Sequence, residues 1–99
     1  MNALFWNIRG ITAPGRKNCI LDTFAKVKPT IVAFQETKKP ELSSSFLKSI
    51  SLNRNFEWHH LPTKGSAGGI LVGVDVDLFD IVSWIDYDFS VACLLKCKK

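Results

Sequence analysis

Apolar and polar positions switch between two periods along this chain, and the switches mark its elements. Ala3–Trp6 is apolar at every position, which predicts a strand buried on both faces. Gly10–Gly15 gathers glycine, threonine and proline and predicts a loop. Ile20, Leu21, Phe24 and Val27 then recur at the spacing of one helical face, so a helix is expected from about Arg16 to Lys28. Lys26 and Lys28 stand in its last turn, where cations oppose the helix dipole favourably, and Pro29 ends it. Thr30–Phe34 is a second buried strand. Strand, helix and strand in this order predict a right-handed crossover, which lays the two strands parallel and brings their C-terminal ends to one rim.

The rest of the chain changes character. Lys38–Leu42 is polar and contains Pro40. Ser43, Ser44 and Ser45 offer an N-cap for a short helix through Ile50, with Phe46, Leu47 and Ile50 on one side. A turn at Asn53–Asn55 leads to a strand at Phe56–Leu61, a loop at Pro62–Ala67 and a strong strand at Gly68–Val74. Asp75-Val76-Asp77 reads as a turn. Phe79–Ile85 and Ser90–Lys96 read as two further strands around Asp86-Tyr87-Asp88, so this half is mostly antiparallel β. There is no repeat, low-complexity segment or domain boundary.

Composition narrows the class. At 99 residues the chain makes one small domain, and 46% hydrophobic residues with seven Phe and three Trp give it a core and argue against disorder. No apolar run is long enough to cross a bilayer, and the N-terminus lacks the basic head and apolar stretch of a signal peptide. An intracellular protein, nuclear or cytoplasmic and not secreted, is expected. The net charge of +4 is uneven. Ten Lys/Arg face four acids up to Val74, and three Lys face five Asp beyond it. The basic front half suits a polyanion such as nucleic acid, although a solvated lysine-rich surface reads the same way. Cys19, Cys93 and Cys97 cannot all pair within the chain and read as buried free thiols.

The candidate chemistry sits at the two strand ends. Glu36 directly follows a buried strand, and open α/β folds place ligands at that rim. Mg²⁺ takes oxygen ligands, using one or two carboxylates while keeping several waters. Asn7, at the end of the other strand, can hold a phosphate oxygen, orient a neighbouring carboxylate, or simply close its own strand against the next loop. Arg9 can pair with a phosphate. Lys64-Gly65-Ser66-Ala67-Gly68-Gly69 is not a P-loop, because neither the Gly-Lys-Ser/Thr step nor a helix follows. Its glycines serve tight turning and close backbone approach. His59 and His60 are adjacent in a strand and point to opposite faces, one expected to be buried and the other exposed.

Trp6-Asn7-Ile8-Arg9-Gly10, Gln35-Glu36-Thr37-Lys38, Gly65-Ser66-Ala67-Gly68-Gly69-Ile70-Leu71 and Phe89-Ser90 stand together in this order. In them the chain resembles the endonuclease/exonuclease/phosphatase superfamily, in particular the amino-terminal endonuclease-like domain of plant LINE-type (non-LTR) retrotransposon proteins. The resemblance implies an α/β fold, the amino-terminal half of a four-layer α/β sandwich with two packed sheets and outer helices. Residues 1–99 would be a partial domain whose carboxy-terminal half is missing. It implies Mg²⁺, with Mn²⁺ as a substitute, bound weakly through Glu36 and Asn7, which are also the catalytic candidates. Gln35 and Thr37 would flank and support the ligand.

The superfamily's later Asp-x-Asn segment and its terminal aspartate–histidine motif have no counterpart here. General acid–base help is worth about 10²- to 10⁴-fold. The expected function is therefore an amino-terminal piece of a Mg²⁺-dependent phosphodiesterase or endonuclease-like domain, inactive alone. The alternatives are a non-enzymatic remnant or interaction module of a retrotransposon-derived gene, or part of a phosphomonoesterase. Nucleic acid is the expected partner, through the basic front half, and no membrane or protein partner is expected.

Overall fold

Parallel pairing of the first two strands sets the layout. The computed structural model describes residues 1–63 and 68–98. Ala3–Asn7 (β1) leads through helix Arg16–Val27 (α1) to Ile31–Gln35 (β2). Helix Ser44–Ile50 (α2) and strands Phe56–Leu61 (β3), Ile70–Asp75 (β4), Phe79–Asp86 (β5) and Val91–Cys97 (β6) follow. One sheet has the order β1-β2-β4-β3, and β5 and β6 pair as a separate two-stranded sheet. β1 and β2 are parallel, with Asn7 opposite Gln35. β4 runs antiparallel to both its neighbours, with Ile70 opposite Gln35 on one side and Leu61 on the other. The expected strand–helix–strand unit is therefore present, and the C-terminal ends of β1 and β2 share one rim. The fold is α/β with two sheets and two helices among the described residues.

The helices are placed by burial more than by capping. α1 has twelve residues and no side-chain N-cap. Isolated helices shorter than about 12–15 residues are marginal in water. It is held by Ile20 and Phe24, both buried on its inner face. Lys28 takes a left-handed backbone and donates its N–H to the Phe24 carbonyl, closing the helix before Pro29. α2 begins as expected, with the Ser43 hydroxyl accepting from the Phe46 N–H at 3.1 Å.

Ile20, Phe24 and Ile50 from the helices meet Val32, Phe34 and Leu71 of the sheet. Each such side chain contributes about 1.5–3 kcal/mol on full burial. Phe34 is the hub, with ring centroids 6.2 Å from Phe24, 5.9 Å from Trp6 and 6.4 Å from Trp58. Trp58 in turn lies over Gly73 on the neighbouring strand, and a β-carbon there would stand 2.6 Å from Cε3 of the indole.

The opposite face of the sheet meets the β5–β6 hairpin at β3. The Trp84 ring stacks on His59 with centroids 4.4 Å apart. Asp86 Oδ1 lies 2.6 Å from His59 Nε2, and Trp84 Nε1 donates to Glu57 at 3.4 Å.

Three sequence expectations need correction. β1 is not buried on both faces: Leu4 and Trp6 are half-buried, while Phe5 is 73% exposed. As an edge strand it has one neighbour, and the helical layer covers one of its faces. The cysteines are free, as expected, but Cys19 and Cys97 are exposed and Cys93 is half-buried. Cys19 falls off the Ile20–Phe24 stripe of α1, so helical rotation carries it outward. Asp75 is not in a turn: it ends β4, nearly buried, and pairs with Arg54 at 2.7 Å. Among the described residues no helix is long and apolar enough to cross a membrane.

Candidate metal and phosphate site

The rim where β1 and β2 end carries the candidate site. Asn7 is the last residue of β1, and Glu36 follows the last residue of β2. Asn7 Nδ2 donates to Glu36 Oε2 at 2.6 Å. Of the roles open to this asparagine, the hydrogen bond matches orientation of a neighbouring carboxylate. The carboxylate keeps a second oxygen with which to coordinate a cation.

The backbone beyond the strands fixes this corner. Ile8 N–H donates to the Gln35 carbonyl, Gly10 N–H to Glu36 and Ile11 N–H to Thr37, at 2.8–3.1 Å. From the other side, Thr37 N–H donates to Gly69 and Lys38 N–H to Gly68. The main chain of Glu36–Lys38 is thus held by the segments entering from β1 and leading into β4. Left-handed backbone gathers here, at Arg9 (φ 50°), Glu36 (φ 56°) and Lys38 (φ 58°). Such conformations cost non-glycine residues of order 1–3 kcal/mol and persist where the surroundings over-determine them.

Thr37 forms the floor. It is fully buried, and its Oγ1 lies 3.5 Å from His60 Nε2. Burial holds the His60 imidazole below its ordinary titration range, with neighbouring His59 adding to the effect. Gly69 packs directly against Thr37 with φ +91°. A β-carbon on Gly69 would overlap Thr37 Oγ1 and lie 3.1 Å from Thr63 Cγ2 and 3.3 Å from the Lys38 nitrogen. Glycine at this position thus serves both positive φ and close approach.

A cleft of about 260 Å³ opens over the corner. Asn7, Gln35 and Glu36 form one side, and Leu61, Pro62, Gly68, Gly69 and Ile70 complete much of the rest. Asp88 and Phe89, at the tip of the β5–β6 hairpin, close it. Sequence reading places Asp88 in a turn and has Phe89-Ser90 only among the motifs that carry the resemblance, with no role at the rim.

The remaining candidates fall in different places. Arg9 is exposed just past β1, and Arg16 Nη2 approaches its carbonyl at 3.4 Å. Gln35 is exposed and lines the cleft, whereas Thr37 lies beneath it. The histidines do point to opposite faces, but both are half-buried, because Trp84 covers His59. Residues Lys64, Gly65, Ser66 and Ala67 of the glycine-bearing loop lie outside the described residues. Asp75 lies at the far end of β4 from Ile70, away from the rim. Among the described residues no group of three or more His, Cys, Asp or Glu side chains converges as a metal cage.

The donor set fits a hard cation held loosely. One carboxylate and one amide supply oxygen ligands, and Mg²⁺ ordinarily fills its other positions with water and phosphate oxygens. No protein-family model matches this chain, and no curated protein sequence matches it significantly.

Proposed function

We propose that the Asn7–Glu36 rim is the metal- and phosphate-binding corner of a Mg²⁺-dependent phosphodiesterase of the endonuclease/exonuclease/phosphatase type. On this reading the two sheets and helices belong to a four-layer sandwich, and the chain by itself binds without cleaving. The observation that carries the proposal is the 2.6 Å hydrogen bond from Asn7 to Glu36 across two parallel strand ends. Neither residue is needed there by the core. Glu36 is also held in a left-handed conformation, of the kind that costs free energy and gathers at ligand-holding sites.

Each group has a defined task. Glu36 would ligate Mg²⁺, and Asn7 orients that carboxylate through Nδ2 while its Oδ1 could accept from a water of the ion's hydration shell. Arg9, Lys38 and Lys39 follow the same strand ends and favour a polyanion. A divalent cation held there would supply Lewis-acid polarisation of a phosphoryl oxygen. Hydrolysis needs in addition a group that activates water and one that assists the departing oxygen. His59 and His60 are engaged with Asp86 and Thr37, on opposite faces, so the proposal assigns this chain binding rather than turnover.

Titration of the ¹⁵N-labelled chain with Mg²⁺ and Mn²⁺ tests the site. Weak binding is expected, with shifts and paramagnetic broadening centred on Asn7 and Glu36 and lost in Glu36→Gln. Tight binding that survives the substitution refutes the assignment. A plasmid-nicking assay run beside Glu36→Gln tests the second half of the proposal. Metal-dependent nicking that is absent from the variant would mean that this corner alone suffices for catalysis.

A further inference from the structure

β3 is one edge of the four-stranded sheet, and among the described residues no strand but β4 pairs with it. All six of its residues pair with β4 in unbroken register, and it holds no proline, lysine or arginine. Natural edge strands are ordinarily blunted by proline, lysine or a bulge. Asp75 N–H donates to the Thr30 carbonyl at 2.9 Å, on the side away from β3. Antiparallel pairs alternate between bonded and unbonded, so Glu57–Val74, His59–Val72 and Leu61–Ile70 are the bonded pairs. The N–H and C=O groups of Trp58 and His60 therefore point outward, where a further strand would lie.

A groove of about 630 Å³ lies between α2 and β3, well inside the usual range for binding sites, roughly 300–1,000 Å³. Ser44, Leu47, Lys48 and Ser51 line it at the i, i+3, i+4 and i+7 spacing of one helical face, and Phe56 and Trp58 line it from β3. Leu47, Phe56 and Trp58 are half-buried and make its floor apolar. The indole is fixed: Trp58 Nε1 donates to Ser51 Oγ at 3.0 Å, and that hydroxyl donates to the Leu47 carbonyl at 2.7 Å. An apolar floor beside outward main-chain groups suits strand addition, in which main-chain bonds give affinity and pockets for alternate side chains give specificity. The groove shares no lining residue with the cleft over the Asn7–Glu36 rim.

Charge selects the occupant. Two of the three charged lining residues are engaged: Glu57 accepts from Trp84 Nε1 at 3.4 Å, and Arg54 pairs with Asp75 at 2.7 Å. The third, Lys48, is exposed, and its ammonium has no partner among the described residues. The whole lining also falls in the half of the chain where ten Lys/Arg face four acids. A second copy of this chain would bring the same +4 charge and the same lysine, like against like, whereas an acidic segment brings the opposite sign. We infer that the α2–β3 groove binds an extended acidic peptide that adds to β3 as a fifth strand. Residues two apart in a strand share a face, so an apolar side chain over Trp58 and an acidic one toward Lys48 are presented together. This binding is independent of the metal site.

The test titrates the ¹⁵N-labelled full chain with the blocked peptide Thr-Leu-Thr-Glu-Thr-Leu-Thr-Glu and with its counterpart carrying Gln for Glu. The amide signals of Trp58, His60 and α2 should shift. The acidic peptide should bind about 2- to 5-fold more tightly than the neutral one, the worth of an exposed ion pair. Lys48→Ala, a change at an exposed position, should abolish that preference and leave the neutral peptide unchanged. Two further peptides are N-methylated, one at every Thr and the other at every Leu and Glu. Only one of these two sets of N–H groups faces β3 in an added strand, so one pattern should bind like the parent and the other about 10-fold or more weakly. No shift at β3 with any peptide, a preference for Glu that survives Lys48→Ala, or two methylation patterns that behave alike overturns the inference. Dimers of the chain alone in sedimentation, with β3 signals that change on dilution, would give the edge to a second copy and overturn it too.

Discussion

Gly69→Ala should destabilise this protein far more than Gly68→Ala, although both residues have left-handed backbones, φ +91° and φ +85°. A β-carbon in that region costs about 1–2 kcal/mol at either position. Only at Gly69 does it also meet a packed neighbour. It would fall on Thr37 Oγ1, closer than real β-carbons approach, and lie within 3.1 Å of Thr63 Cγ2. At Gly68 nothing among the described residues lies within 4 Å. Thr37 cannot step aside easily, since it is fully buried and its N–H is bonded to the Gly69 carbonyl. Overpacking of this kind costs about 1–3 kcal/mol, so that is the expected difference between the two variants. Urea unfolding followed by tryptophan fluorescence reads it directly. With a slope of about 1–3 kcal/mol per molar, Gly69→Ala should lower the midpoint by roughly 1 M relative to Gly68→Ala. Adding Thr37→Ala removes the overlapping hydroxyl and should recover part of the loss, a coupling of about 0.5–3 kcal/mol. Equal midpoints for the two alanine variants, or no coupling to Thr37, would refute this account of the floor beneath Glu36.

Two further outcomes follow from other contacts. Burial lowers the His60 pKa below its ordinary value near 6.5, so the unfolded chain takes up a proton first as the solution is acidified. The His60 contribution to stability is present above about pH 6.5 and is lost as pH falls toward the folded value. An NMR titration should therefore place the His60 midpoint below 6.5; a midpoint at that value would remove the effect, and one above it would reverse the sign. Gly73→Ala should drive Trp58 off its position, because a β-carbon would stand 2.6 Å from Cε3 and 2.8 Å from Cη2. Trp58 is tethered to Ser51 by a 3.0 Å hydrogen bond, so the variant should unfold about 1–3 kcal/mol more easily. Retention of wild-type stability and near-ultraviolet circular dichroism would show that the indole can move freely.

The strand–helix–strand unit was legible because each boundary has a local cause. Pro29 cannot continue α1, and the polar residues after Trp6 and Phe34 mark where the strands leave the core. From those boundaries the meeting of Asn7 and Glu36 follows by topology alone. The Ser43 cap is local in the same sense. Burial was less legible. A run such as Leu4-Phe5-Trp6 says that both faces are apolar, but whether a second layer covers each face depends on distant chain. Phe5 and Cys19 are exposed against expectation for that reason. The hairpin tip is not legible as part of the cleft, because its place depends on contacts between sheets such as the packing of Trp84 and Asp86 on His59. No pattern within one segment encodes that contact between sheets.

Preorganisation and affinity pull in different directions at this rim. The carboxylate of Glu36 is already aimed by Asn7, and its backbone is pinned by bonds from Gly10 on one side and the Thr37–Gly69 link on the other. Little ordering is then left for the ion to impose, which favours binding. Yet Mg²⁺ gives up water reluctantly, and a single carboxylate compensates poorly for that loss. On the proposed function, a corner built this way would hold a hydrated ion in a fixed place without gripping it. Added phosphate oxygens would complete the coordination, so metal and polyanion should each strengthen the other's binding. Linkage makes the effect reciprocal: if Mg²⁺ tightens an oligonucleotide by some factor, the oligonucleotide must tighten Mg²⁺ by the same factor. If Asn7 and Glu36 are the shared element, that coupling should vanish in Glu36→Gln even where the basic residues still hold the strand.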